Sequence, residues 1–232
     1  VYKIIKSKIE NTSKDKICGF VGDLTNMEAS FIFKEFFERT LDINKYESRS
    51  SKNFLDHSSR ENYLFNSTIN GLEESDLIFL IGTNPRFEAT MLNARIRKSY
   101  VNNNTKIFSL TDVGNLTYQY KSLDGNTLTL KNIVESKNDL SKLILNSKKP
   151  LIIYGESFLK SNSAEYLFNS MKDFLFKNNK FSNDWNPINI LHTNAASVGS
   201  LDLDIISDNR IFKDLKENKF ELIYLLGQDD LD

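Results

Sequence analysis

Cysteine occurs once in the 232 residues, at Cys18. One thiol excludes an internal disulfide, a Cys-based zinc site and a cysteine-ligated iron–sulfur cluster held by this chain alone. Histidine occurs twice, at His57 and His192, too far apart in sequence to suggest a His-rich metal site. Neither charge is in excess: 30 Lys+Arg stand against 31 Asp+Glu, a net charge of −1. Such a chain is not built to bind polyanions, so nucleic acid is not an expected partner. No apolar run approaches the ~20 residues that cross a bilayer. The longest, Leu77 to Ile81 and Leu222 to Leu226, have strand length, and direct membrane insertion is not expected. Val1 to Lys16 mixes Lys, Ser and Asn without an apolar segment, so no secretory signal is read there, and a soluble protein of a reducing compartment is expected.

The usual catalytic and nucleotide-binding signatures are missing as well. Gly19-Phe20-Val21-Gly22 is not the G-x-G-x-x-G of a dinucleotide fold, and G-x-x-x-x-G-K-[ST] does not occur. Gly155-Glu156-Ser157 lacks the second glycine of a nucleophile elbow. Glycine and proline are scarce, at 9 and 3, whereas Asn and Lys are abundant. An AT-rich genome over-supplies these residues, so the bias is read as codon usage. The Asn-x-Ser/Thr matches at Asn11, Asn66, Asn103 and Asn115 are expected by chance in so Asn-rich a chain and carry little weight.

Four apolar runs share one pattern: 17–22, 77–82, 151–155 and 222–227. Each is apolar on consecutive positions and ends in glycine, at Gly22, Gly82, Gly155 and Gly227. Consecutive apolar residues mark strands buried on both faces. Helix-period segments follow three of them, over Asn26 to Leu41, Phe87 to Val101 and Phe158 to Asn178. The first carries Phe31, Phe33, Phe36 and Phe37 around much of its circumference. Repeated strand–turn–helix units predict an α/β fold, a doubly wound, mostly parallel sheet with helices on both faces. Lys106 to Leu110 is a fifth candidate strand, and Asp124-Gly125 is a hairpin-turn signal. Asn132 to Asn146 and Arg210 to Glu217 are read as helices, and Val1 to Asn11 as part of one. Tyr46 to Asn62 is the most loop-like stretch, and 147–150 is the expected lobe boundary. No helix follows the fourth run, so the chain is expected to be part of a larger subunit.

Single residues with reactive chemistry have structural roles on this reading. His192 is expected at a strand end as a hydrogen-bonded residue, and Cys18 as an inert thiol inside a strand. The stretch from Gly82 to Tyr100 stands out. Thr83 and Asn84 can cap a helix whose first turn holds Pro85, and Glu88 complements its dipole. Arg86, Arg95 and Arg97 are three of only seven arginines. Arg in place of Lys favours planar, bidentate pairing. Arg86, Glu88, Arg95 and Arg97 are therefore the candidate partner-binding residues.

This stretch carries a resemblance. Residues 73–89 (EESDLIFLIGTNPRFEA) with 92–99 (LNARIRKS) are similar to the large iron–sulfur subunit of respiratory complex I, NADH:quinone oxidoreductase. Residues 62–66, Asp112 with 116–118, 149–155, and Asp184-Trp185 with 189–192 resemble it in the same order, so the likeness covers nearly the whole chain. The resemblance implies the C-terminal region of that subunit, whose fold is like that of molybdopterin-dependent oxidoreductases but which is taken to have lost the cofactor. It implies a non-catalytic scaffold of the hydrophilic arm, on the matrix side of the mitochondrial inner membrane or the cytoplasmic side of a bacterial one. Its partners would be other complex I subunits, above all the cluster-bearing part of the same subunit. No catalytic, metal or cofactor-binding residue is expected in this chain. The alternative is a molybdopterin-type oxidoreductase lobe that retains its cofactor, with phosphate loops at Gly22, Gly82, Gly155 or Gly227.

Overall fold

In chain order, the computed structural model contains α1 (Tyr2–Glu10), β1 (Ile17–Val21), α2 (Met27–Glu35), β2 (Tyr46–Ser48), α3 (Thr68–Gly71), β3 (Leu77–Ile81), α4 (Pro85–Glu88), α5 (Thr90–Asn103) and β4 (Lys106–Ser109). There follow β5 (Lys121–Ser122), α6 (Thr127–Val134), α7 (Asp139–Asn146), β6 (Pro150–Tyr154), α8 (Glu156–Leu159), α9 (Ala164–Lys177), β7 (Ile188–Ile190), α10 (Ser197–Asp202), α11 (Arg210–Lys216) and β8 (Leu222–Leu226). The structure describes residues 1–48, 56–206 and 210–228, so the middle of the Tyr46 to Asn62 stretch, residues 49–55, lies outside the described residues.

The chain forms two compact units, one of residues 1–52 with 194–232, the other of the continuous residues 53–193. The lobe boundary read at 147–150 lies inside the second unit, where Pro150 opens a strand with neighbours on both sides. Nor do the four apolar runs share one sheet. They pair in twos: β1 with β8 in a three-stranded sheet of order β2-β1-β8, and β3 with β6 in a five-stranded sheet of order β5-β4-β3-β6-β7. Every named strand pairing is parallel.

In the second unit the strand period of two sends alternate residues of β3 to opposite layers. Leu77, Phe79 and Ile81 join the core beneath α6 to α9, with Ile133, Ile144, Phe168 and Leu175. Ile78 and Leu80 join the core beneath α5, with Leu92, Ile96, Ile153 and Trp185. Apolar layers on both faces explain why β3 and β6 read as unbroken apolar runs. In the first unit, Ile17 and Val21 of β1 pack on Phe33 and Phe37, and Tyr46, Leu222 and Leu226 of the flanking strands lie against the same cluster.

Three long helices read from the sequence are each interrupted. α4 and α5 break at Ala89, α8 and α9 at residues 160–163, and Asn132 to Asn146 divides at Ser136, whose φ is 59°. Asp124-Gly125 does not close a hairpin: β5 is parallel to β4, and Asn126 just beyond caps α6 through Leu128 N–H at 2.9 Å. β2 was not legible as a strand, because its Glu47 and Ser48 are polar although buried.

Candidate functional site

In an open parallel sheet, ligands bind beyond the C-terminal strand ends, where the crossovers diverge. In the five-stranded sheet that point lies between β3 and β6, since β3 leads to β4 on one side and β6 to β7 on the other. The two runs end there in Gly82 and Gly155.

Backbone fills this crevice. Gly155 N–H donates to the Ile81 carbonyl at 2.9 Å, and Ser157 Oγ donates to the Gly82 carbonyl at 2.7 Å. A Cβ on Gly155 would overlap the Gly82 oxygen and Thr83 Cβ, and one on Gly82 would overlap the Phe158 backbone. The glycines permit one loop to rest on the other. The first unit repeats the device, with Gly22 N–H donating to the Leu226 carbonyl at 2.9 Å and Gly22 lying against Gly227.

Two carboxylates close the rim. Glu88 accepts from Thr83 Oγ1 at 2.7 Å and from Asn84 N–H at 2.9 Å. Asn84 caps Arg86 N–H at 3.2 Å and ties its side-chain amide to the Val113 carbonyl at 3.0 Å. Glu156 accepts from the Thr193 hydroxyl and pairs with Lys160 at 3.0 Å, joining the β7 loop to α8. Burial works to raise the Glu156 carboxyl, but hydrogen bonds from Thr193 and Lys160 outweigh it and hold the group below its usual value. Sequence reasoning passed over Glu156 and Thr193; the one signal was an acid directly after a strand-ending glycine.

His192 is half-buried, and its Nε2–H donates to the Tyr63 carbonyl at 2.6 Å. Burial pushes its pKa down, against the Tyr63 carbonyl and Glu156, which favour the charged form. Cys18 is fully buried, and desolvation raises its thiol to about 12, the nearby Glu47 adding to the effect, so it is no nucleophile at neutral pH. Among the described residues no group of three His, Cys, Asp or Glu could hold a metal ion, and no helix is long and apolar enough to cross a membrane.

Three of the four candidate partner residues are engaged within the chain. Arg86 Nη1 donates to the Asn115 carbonyl at 2.6 Å, and Glu88 closes the cap described above. Arg95 pairs with Glu73 at 2.5 Å, alongside Lys98 at 2.7 Å. Arg97 is exposed and has no hydrogen bond or ion pair among the described residues. Phe87 and Met91, 81% and 76% exposed, stand on the same α4–α5 segment.

The family profile described as Molybdopterin oxidoreductase matches residues 1–232. The chain belongs to that family. Among its relatives, the NADH-ubiquinone oxidoreductase 75 kDa subunit of Reclinomonas americana is 37% identical over 244 residues, covering 98% of this chain and 35% of that protein. An NADH-quinone oxidoreductase subunit of Rickettsia bellii is 33% identical over 99% of this chain and 33% of its own length. The mitochondrial 78 kDa subunit of Candida albicans NADH-ubiquinone oxidoreductase is 34% identical over 97% of this chain and 30% of its own length. This molybdopterin oxidoreductase domain therefore spans about a third of the curated relatives it matches.

Proposed function

We propose that the chain is a non-catalytic scaffold module in the hydrophilic arm of complex I, holding no pterin cofactor and no metal of its own. Its place is the matrix side of the mitochondrial inner membrane or, in a bacterium, the cytoplasmic side of the cell membrane. The observation that carries this reading is the closed crevice between β3 and β6. A pterin dinucleotide needs free backbone amides and cationic surroundings for its phosphates. Here the Asn84 amide already serves Glu88, the Thr193 hydroxyl serves Glu156, and the Ser157 hydroxyl serves the Gly82 carbonyl. A phosphate brought beside two carboxylates meets like charge, which costs several kcal/mol. The residues present do not fit the cofactor that the family description implies.

The α4–α5 segment, with Arg86, Glu88, Arg95 and Arg97, is the docking element in this reading. Arg86, Glu88 and Arg95 hold its shape through internal contacts, and Arg97, exposed on the same segment as Phe87 and Met91, is the cation left to meet a partner's carboxylate. The test is purification of the tagged protein from membranes. Membrane NADH dehydrogenase activity is expected to copurify, without stoichiometric molybdenum or tungsten. Arg97→Glu is expected to cut the copurified activity by about tenfold, a loss of ~1.4 kcal/mol in association. A stoichiometric metal signal overturns the cofactor-free assignment.

A further inference from the structure

The sequence makes α2 and the turn after it apolar around much of the circumference, and helices of that kind are covered on every side. Ser30, Phe33 and Phe37 are indeed buried. On the opposite side Met27, Phe31 and Ile32 are 46%, 50% and 66% exposed. With Leu203 and Glu28 they line a shallow groove of about 320 Å³. Glu28 is the groove's only formal charge and makes no hydrogen bond or ion pair among the described residues. An apolar groove with one unpaired acid complements an amphipathic segment that carries one base.

We infer that this groove receives such a segment from the remainder of the large subunit, the two-thirds of the relatives' length that this chain does not match. Apolar side chains of the segment cover Met27, Phe31 and Ile32, and its Lys or Arg meets Glu28. The inference rests on the scaffold reading above. One observation selects this source over a separate subunit, and a second places the need for a cover on this unit. The relatives carry both parts on one polypeptide, so in a chain of that kind the docking is intramolecular. The first unit, the smaller of the two, also bears most of the large apolar side chains left exposed among the described residues.

A photo-crosslinking amino acid at Phe31 in the assembled NADH dehydrogenase complex, read by mass spectrometry, tests this, with Met91 as a second probe site. The expected product joins position 31 to a Lys- or Arg-containing peptide of the large subunit, outside the part aligned with this chain. Glu28→Lys is expected to lower its yield at least about tenfold, and Glu28→Gln less. A product with any other subunit, or no product in a complex that assembles, overturns the inference. Where the probe at position 31 blocks assembly, position 32 is read in the same way. A product from position 91 with none from 31 removes the groove and leaves the scaffold reading standing. A chain that never enters the complex overturns both.

Discussion

Asparagine takes over work that glycine and serine do in other chains. Asn26, Asn84, Asn126 and Asn138 accept N-terminal amide hydrogens of α2, α4, α6 and α7. Asn104, Asn179 and Asn218 adopt left-handed φ of 51°, 55° and 55° just beyond α5, α9 and α11. Asn tolerates that region better than other residues with a Cβ, so a chain with 9 glycines still ends its helices cleanly. The composition bias, read from sequence as codon usage, thus has structural employment at these seven positions. Tyr154 is the opposite case. It is 1% exposed, packs against Phe158 and Phe168 with ring centroids 5.2 Å away, and its hydroxyl has no hydrogen-bond partner. A buried hydroxyl without a partner forfeits its hydration with nothing in return. Tyr154→Phe is expected to stabilise the chain by about 1 kcal/mol, seen as a higher thermal midpoint. A fall in the midpoint would mean that the hydroxyl is engaged.

At the level of elements, one carboxylate sets the start of the two central strands. Asp76, just before β3, accepts from the Ser147 hydroxyl and from the Lys148 and Lys149 amides at 2.7 and 3.0 Å, immediately before β6. Burial works to raise its pKa, but these hydrogen bonds prevail and hold it below the ordinary carboxylate value. A depressed folded pKa gives stability that is complete above the unfolded value of about 3.9 and is lost as pH falls through the folded one. Asp76→Asn is expected to cost about 1 kcal/mol at pH 7, limited by the exposure of the carboxylate, and to flatten the acid limb of stability below pH ~4. Denaturant midpoints at pH 7 and pH 3 check this: an undiminished acid slope in the variant assigns that slope to other groups. The legibility of the elements follows the same physics. β1, β3 and β6 were readable because a strand buried along its whole length must be apolar throughout; β8 has the same apolar pattern, but Ile223, Tyr224 and Leu225 are exposed, so the burial on both faces expected for it is not found. The helix breaks at Ala89 and Ser136 were not, because neither residue type is a breaker and tertiary packing fixes their dihedrals. At the candidate site the strand-ending glycines were legible but not their use: a glycine that admits a phosphate and one that admits another loop look alike until the facing chain is known.

For the whole molecule, the decisive fact is how the cores divide along the chain. Both layers of the five-stranded sheet, from Leu72 to Ile190, draw only on residues 53–193, one continuous segment. The remaining core draws on Ile17 to Ile43 and on Ile205, with partly buried Leu222 and Leu226, two segments separated by the whole second unit. A continuous segment with both faces of its sheet covered meets the requirements of an independent folding unit. The first unit must close its sheet across that insertion, β1 pairing with β8 over some two hundred residues (Ile17 with Leu222), at a cost in chain entropy that its small core offsets less well. Residues 53–193 expressed alone are therefore expected to unfold in a single cooperative transition, with slow amide exchange in β3 and β6. Residues 1–52 joined by a short linker to 194–232 are expected to show a broad transition or none, since most of the large apolar side chains left exposed among the described residues stay with them. Cooperative melting of the second piece with protected amides in β1 would show that the three-stranded sheet is self-sufficient. It would also remove the reason for expecting a covering segment over α2.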